Sequence, residues 1–100
     1  MIRWSARARE DVREAVAYIA ADNPAAAMRW ADAVERRLEL AEGTPRAGRV
    51  VPEFGDEGLR EVLVGRFRLL YRFAPHELQV VRVWEGHRLL RAENLIDREE

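Results

Sequence analysis

The sequence predicts an α+β fold in the order β-α-α-β-β-β, with a helical hairpin packed on a small, mainly antiparallel sheet. Three observations carry this. Apolar residues recur at helical spacing through two stretches that are separated only by Asp22-Asn23-Pro24. A Gly- and Pro-rich stretch, Arg46 to Gly58, then breaks the pattern. Beyond it the apolar period switches from 3.6 to 2, in runs rich in β-branched and aromatic residues.

Met1 to Trp4 reads as a short strand, and Ser5 follows as an N-cap. Ala8, Val12, Ala15, Val16 and Ile19 then form the apolar stripe of a first helix. Asn23 caps a second helix and Pro24 occupies its first turn, where a missing N–H costs nothing. So short a link makes the two helices an antiparallel hairpin. Ala27, Trp30, Ala31, Val34, Leu38 and Ala41 line the second helix, and Gly43-Thr44-Pro45 ends it. Arg46 to Gly58 is expected to be an ordered loop anchored by Val50, Val51 and Phe54.

Leu59–Val64, Phe67–Phe73 and Leu78–Trp84 read as a three-stranded meander. With Gly65-Arg66 as a two-residue turn, Val64 faces Phe67 and Val62 faces Leu69. A four-residue loop at Ala74 to Glu77 sets Phe73 against Leu78, Tyr71 against Val80, Leu69 against Arg82 and Phe67 against Trp84. In that register the core face includes Val62, Val64, Leu69, Tyr71, Val80 and Trp84, with Arg82 pairing a helix carboxylate, Asp32 or Glu35. The opposite face carries Glu61, Leu63, Arg68, Leu70, Arg72, Gln79, Val81 and Val83, a mixture of arginine and aliphatic side chains suited to a partner. A slip of one residue would exchange the faces.

The 100 residues suit one domain, and the segment from about residue 89 reads as a short helix or a tail that orders on binding. All 17 basic residues are arginine, so chemistry that needs a lysine amine is excluded. Having no cysteine excludes disulfides and thiolate zinc sites, and His76 and His87 are too few to suggest a metal. No metal or cofactor is expected. The longest uncharged apolar stretch, Ala15 to Ala21, is far short of the roughly 20 residues that span a bilayer, so a cytoplasmic protein without membrane partners is expected. Net charge is only -1, but nine arginines meet eleven acids up to Leu59, seven meet three from Arg60 to Arg91, and one meets four thereafter. The meander is the basic part of the chain.

The ordered motifs W-S-x-x-A-x-x-D (Trp4 to Asp11), Y-I-A-x-D-N-P-x-A-A (Tyr18 to Ala27), P-x-x-G-R (Pro45 to Arg49), L-R-E (Leu59 to Glu61), V-G-R-F-R-L-L-Y-R (Val64 to Arg72) and V-W-E-G-H-R (Val83 to Arg88) occur at characteristic spacings. Together they resemble the ParE/RelE superfamily of type II toxin–antitoxin toxins, more closely its ParE branch. The resemblance implies a growth-arresting toxin neutralised by a cognate antitoxin in a hetero-oligomer. ParE-like members bind DNA gyrase, whereas RelE-like members cut mRNA on the ribosome. A third reading is a non-toxic module that only binds its antitoxin.

For a RelE-like endoribonuclease the resemblance carries Arg68 and Arg88 as phosphate clamps, since a guanidinium binds phosphate bidentately. His87 or Glu85 would then serve as general acid or base. Departures weigh against this reading: the lysines of the preceding strand are replaced by Arg60 and Glu61, and Asn94 stands near the position of a C-terminal tyrosine. For antitoxin binding, Leu63, Arg68, Leu70, Arg72, Val81 and Val83 are the expected contacts, because an acidic-hydrophobic segment would find aliphatic groups beside arginines there. Trp4, Trp30 and Trp84 read as core residues.

Overall fold

The computed structural model describes residues 1–96. Its regular elements are β1 (Ile2–Trp4), α1 (Ala6–Asp22), α2 (Pro24–Gly43), β2 (Arg49–Val50), β3 (Leu59–Val64), β4 (Phe67–Ala74) and β5 (Glu77–Glu85). Short 3₁₀ turns occupy Pro45–Ala47 and Ala92–Leu95. The five strands form one sheet in the order β1-β5-β4-β3-β2, antiparallel except for β1, which runs parallel to β5. Among the described residues, no helix is long and apolar enough to cross a membrane.

One residue turns the chain from α1 into α2. The N–H of Asn23 donates to the carbonyl of Ile19 at 2.9 Å, closing the first helix. Its Oδ1 accepts from the N–H of Ala26 at 3.1 Å, capping the second. Ser5 does the same for α1, accepting from Ala8 N–H at 3.0 Å, and its hydroxyl donates to the carbonyl of Val81 at 2.8 Å. The start of α1 is thereby fastened to β5.

The hairpin lies on one face of the sheet. Ala8 and Ala15 of α1, and Trp30, Val34, Leu38 and Ala41 of α2, pack on Val62, Val64, Leu69, Tyr71, Leu78, Val80 and Val83. Each valine or leucine side chain enclosed here contributes on the order of 1.5–3 kcal/mol. Trp30 seats its ring on Phe67, centroids 5.1 Å apart, and donates Nε1–H to the carbonyl of Val64 at 3.2 Å.

The β3–β4 register is as the sequence predicts, but β4–β5 corrects it. Phe73 faces Leu78 and Tyr71 faces Val80; then Leu70 faces Arg82, Leu69 faces Val83, Arg68 faces Trp84 and Phe67 faces Glu85. Val81 is an extra residue, a β-bulge on β5. Everything beyond it changes face: Val83 joins the hairpin core, while Trp84 goes to the other side with Val81. Arg82 pairs with Asp11 of α1 instead of Asp32 or Glu35. Ala74 and Glu77 extend the strands, leaving a two-residue turn at Pro75-His76 with His76 at φ 64.

The second face is not bare. The stretch read as a loop supplies β2 and then wraps back, so that Val51 and Phe54 pack with Leu59, Leu70, Val81, Trp84 and Leu90 in a second apolar cluster. The segment after β5 completes this cover. Trp84 Nε1–H donates to the carbonyl of Arg88 at 2.9 Å, and Arg82 Nη1 donates to the carbonyl of Asn94 at 2.6 Å. In the segment from about residue 89, read as a short helix or a tail that orders on binding, a 3₁₀ turn forms at Ala92–Leu95; the last four residues lie outside the described residues.

Candidate functional site

On this second face, β3 and β4 place Glu61 and Arg68 side by side, and the returning loop lays Glu53 over them. Arg68 Nε donates to Glu61 Oε1 at 2.7 Å, while Nη1 and Nη2 donate to the two oxygens of Glu53 at 2.9 and 2.7 Å. The second oxygen of Glu61 accepts from Nε of Arg49, the first residue of β2. Arg68 and Glu61 are 4% and 1% exposed. One buried carboxylate, Glu61, and one half-buried carboxylate, Glu53, thus enclose one buried guanidinium, Glu53 in the bidentate geometry that a fixed fork of donors favours.

The hydrogen bonds from Arg68 hold Glu53 at a pKa of about 2 despite the opposing effect of burial, helped by the Leu90 N–H, which points at the same carboxylate from 3.4 Å. Arg68 is raised above its ordinary value, chiefly by its bonds to Glu53. Asp56 is lowered by the N–H of Gly58 and by Arg72, whose Nη1 donates to it at 3.1 Å. Burial raises Tyr71, whose hydroxyl donates to the carbonyl of Pro45 at 2.6 Å.

Beside this cluster lies Trp84, buried between two cations, with Arg82 at 4.8 Å and Arg88 at 4.3 Å from its ring centroid. Arg88 is exposed and forms no ion pair among the described residues. His87 is exposed and its main-chain N–H donates to Glu85 Oε1 at 2.9 Å; Glu85 also lies 3.5 Å from Arg66. A cleft of about 410 Å³ opens next to them, walled by Tyr18, Arg66, Phe67, Val83 and Arg88.

The structure therefore gathers Arg68, Arg88, His87 and Glu85 at one end of the β4–β5 pair, but Arg68 is sealed and Arg88 is not. Among the expected antitoxin contacts, Leu63 and Arg72 are exposed. Leu70 and Val81 are enclosed at 0% and 8% exposure by the chain's own cover, and Val83 lies in the hairpin core. The basic balance of the meander is also largely neutralised. Of its seven arginines, Arg60, Arg66, Arg68, Arg72 and Arg82 are ion-paired among the described residues. Most of the partners come from the acidic segment that ends at Leu59.

Sequence reasoning missed Glu53 and Asp11 as partners. Glu53 sits in an aperiodic loop and gives no sequence signal, whereas Asp11, flanked by Ala8, Val12 and Ala15, is an acid beside an apolar stripe and could have been noticed. Glu61 was already assigned to the face of Arg68.

A two-helix hairpin on a small mixed sheet, with most of the meander's arginines neutralised internally and open clefts between elements, defines a class of compact α+β protein in which surfaces dominate. Residues 2–90 match the family model described as the ParE toxin of the type II toxin-antitoxin system, parDE. The chain belongs to that family. Among solved structures, a chain from the "Chromosomal ParDE TA system from P. aeruginosa" superposes with a TM-score of 0.66 at 17% identity, over 84% of this chain and 92% of that one. At that identity the likeness concerns the fold: two helices on a five-stranded mixed sheet. No curated protein matches the sequence.

Proposed function

We propose that this toxin arrests growth by binding DNA gyrase, without cleaving a substrate itself, and that a cognate antitoxin silences it by occupying its surface. The observation that carries this reading is the enclosure of Arg68 between Glu53 and Glu61. A RelE-like cut requires a guanidinium free to receive the scissile phosphate and stabilise charge as it develops. Here that guanidinium already donates to two carboxylates, whose negative charge would repel a phosphate, and displacing either would leave a buried charge unpaired. The absence of lysine from the chain supports the same reading.

For the antitoxin, Leu63 and Arg72 remain as accessible contacts on the second face. Leu70, Val81 and Val83 act instead as the toxin's own packing.

Purified toxin is expected to block supercoiling by gyrase, with cleaved DNA accumulating. Normal supercoiling at saturating toxin would overturn the gyrase target. Toxin-dependent cuts in a translated message that vanish in Arg68→Ala would restore the nuclease reading. Undisturbed growth on expression without any antitoxin would identify a module that has lost toxicity.

A further inference from the structure

α2 turns Ala27, Trp30, Val34, Leu38 and Ala41 inward. At about 3.6 residues per turn, the stripe on its opposite side runs through Ala25, Arg29, Asp32, Arg36, Glu39 and Gly43, and all of these are exposed. The charges alternate in sign along it, at the three- and four-residue spacings that let opposite charges on a helix meet. Yet Arg29, Asp32, Arg36 and Glu39 form no ion pair among the described residues, either along the helix or beyond it. Met28 and Leu40 border the stripe on opposite sides, 68% and 64% exposed.

Which partner fits follows from the order of the charges. Because plus and minus alternate, the stripe has no net charge and as a whole attracts neither a polyanion nor an acidic peptide. What it matches is itself, reversed. When two copies lay their α2 helices antiparallel across a two-fold axis level with Val34, Arg29 meets Glu39 of the second copy and Asp32 meets its Arg36. The symmetry repeats each pair. Ala25 falls level with Gly43, so small residues at both ends let the helices approach. Sliding the pair by three residues sets Arg29 against Arg36 in one direction and Asp32 against Glu39 in the other. Like charges then oppose, so the charges select one register. Pairing also draws part of the bordering Met28 and Leu40 surface out of water.

We propose that the outward face of α2 is a self-association site, on which a second copy of this chain docks antiparallel. Exposed ion pairs are individually weak and screened by salt, which makes the dimer dependent on concentration and sensitive to ionic strength. The face lies on the side of the hairpin away from the sheet, so docking leaves Leu63 and Arg72 uncovered. The inference goes beyond the toxin reading and stands or falls independently of it.

Sedimentation velocity of the full chain over a dilution series is the test. A monomer–dimer equilibrium is expected, its dissociation constant rising by roughly tenfold between about 0.05 and 0.5 M salt. Arg36→Glu sets acid against acid and should raise the constant by at least roughly tenfold, sparing the fold because Arg36 makes no ion pair among the described residues. Asp32→Arg combined with Arg36→Asp exchanges the charges within the same register and should restore dimerisation, with circular dichroism confirming that each variant is folded. The chain has no cysteine, so cross-linking can read the register. In an oxidised equimolar mixture of Ala25→Cys and Gly43→Cys chains, mixed disulfide dimers should make up well over half of the linked product. Position 25 of one copy faces position 43 of the other, whereas like positions lie about 27 Å apart. A Cβ at Gly43 meets nothing within 4 Å, so the cysteine is accommodated. A chain that stays monomeric at every attainable concentration, a dimer indifferent to salt or to Arg36→Glu, no recovery in the exchange variant, or mixed dimers at only the random half would overturn the site.

Discussion

The carboxylate of Asp11, near the start of α1, grips Arg82 of β5 at two points, Oδ2 to Nε at 2.8 Å and Oδ1 to Nη2 at 3.0 Å. The same Oδ2 accepts the main-chain N–H of Val83 at 2.9 Å. β1 pairs with β5 only as far as Val80, so this one side chain both neutralises an arginine and satisfies a strand edge that has no strand beside it. Removing it leaves a nearly buried guanidinium without its counter-charge and the Val83 N–H without its acceptor. Asp11→Ala should therefore lower unfolding stability by about 3–5 kcal/mol. Chemical denaturation measures this, and Asp11→Ala combined with Arg82→Met should lose less than Asp11→Ala alone, because the stranded charge is gone.

Glu53 gives stability a pH dependence of defined sign. Its folded pKa, about 2, lies below the ordinary 4.5, so the folded state binds the proton less readily than the unfolded chain does. The stabilisation is present above pH about 4.5 and disappears as the pH falls towards 2. Denaturant midpoints measured across that window should decline in the unaltered protein, and the decline should be shallower in Glu53→Gln. An equal slope in both would remove Glu53 from the account.

Gly48 is required by the closeness of Tyr71. A Cβ at this position would lie 2.3 Å from the tyrosine oxygen and 3.0 Å from the carbonyl of Glu61. Gly48→Ala should cost on the order of 1–3 kcal/mol, as overpacking does. Tyr71→Phe removes the clashing oxygen along with its bond to Pro45. The double variant should therefore be more stable than the two single losses predict when added, a coupling that a double-mutant cycle reads directly.

Asn23 caps α2 while ending α1, so Asn23→Ala should cost about 1 kcal/mol by thermal or chemical unfolding. Asn23→Asp should retain most of the stability, since its carboxylate can accept the same N–H. If Asp is as damaging as Ala, the cap is not the source of the effect.

Much of the architecture is legible in the sequence because it is written in local chemistry. Ser5, Asn23 and Pro24 set the helix boundaries, the change of period at Leu59 separates helices from strands, and Gly65 marks the first tight hairpin; these signals need only near neighbours. The order of motifs from Trp4 to Arg88 likewise places the chain in its family. Tertiary structure alone decided the roles of the arginines. A period of two cannot reveal that Val81 is a bulge, yet that one inserted residue moves Val83 into the hairpin core and Trp84 out of it. Glu53 and Asp11 reach Arg68 and Arg82 across 15 and 71 residues of chain. Such pairing depends on distance in space, which sequence spacing does not encode, and it turns a segment that reads as basic into one whose arginines are largely neutralised by the chain itself.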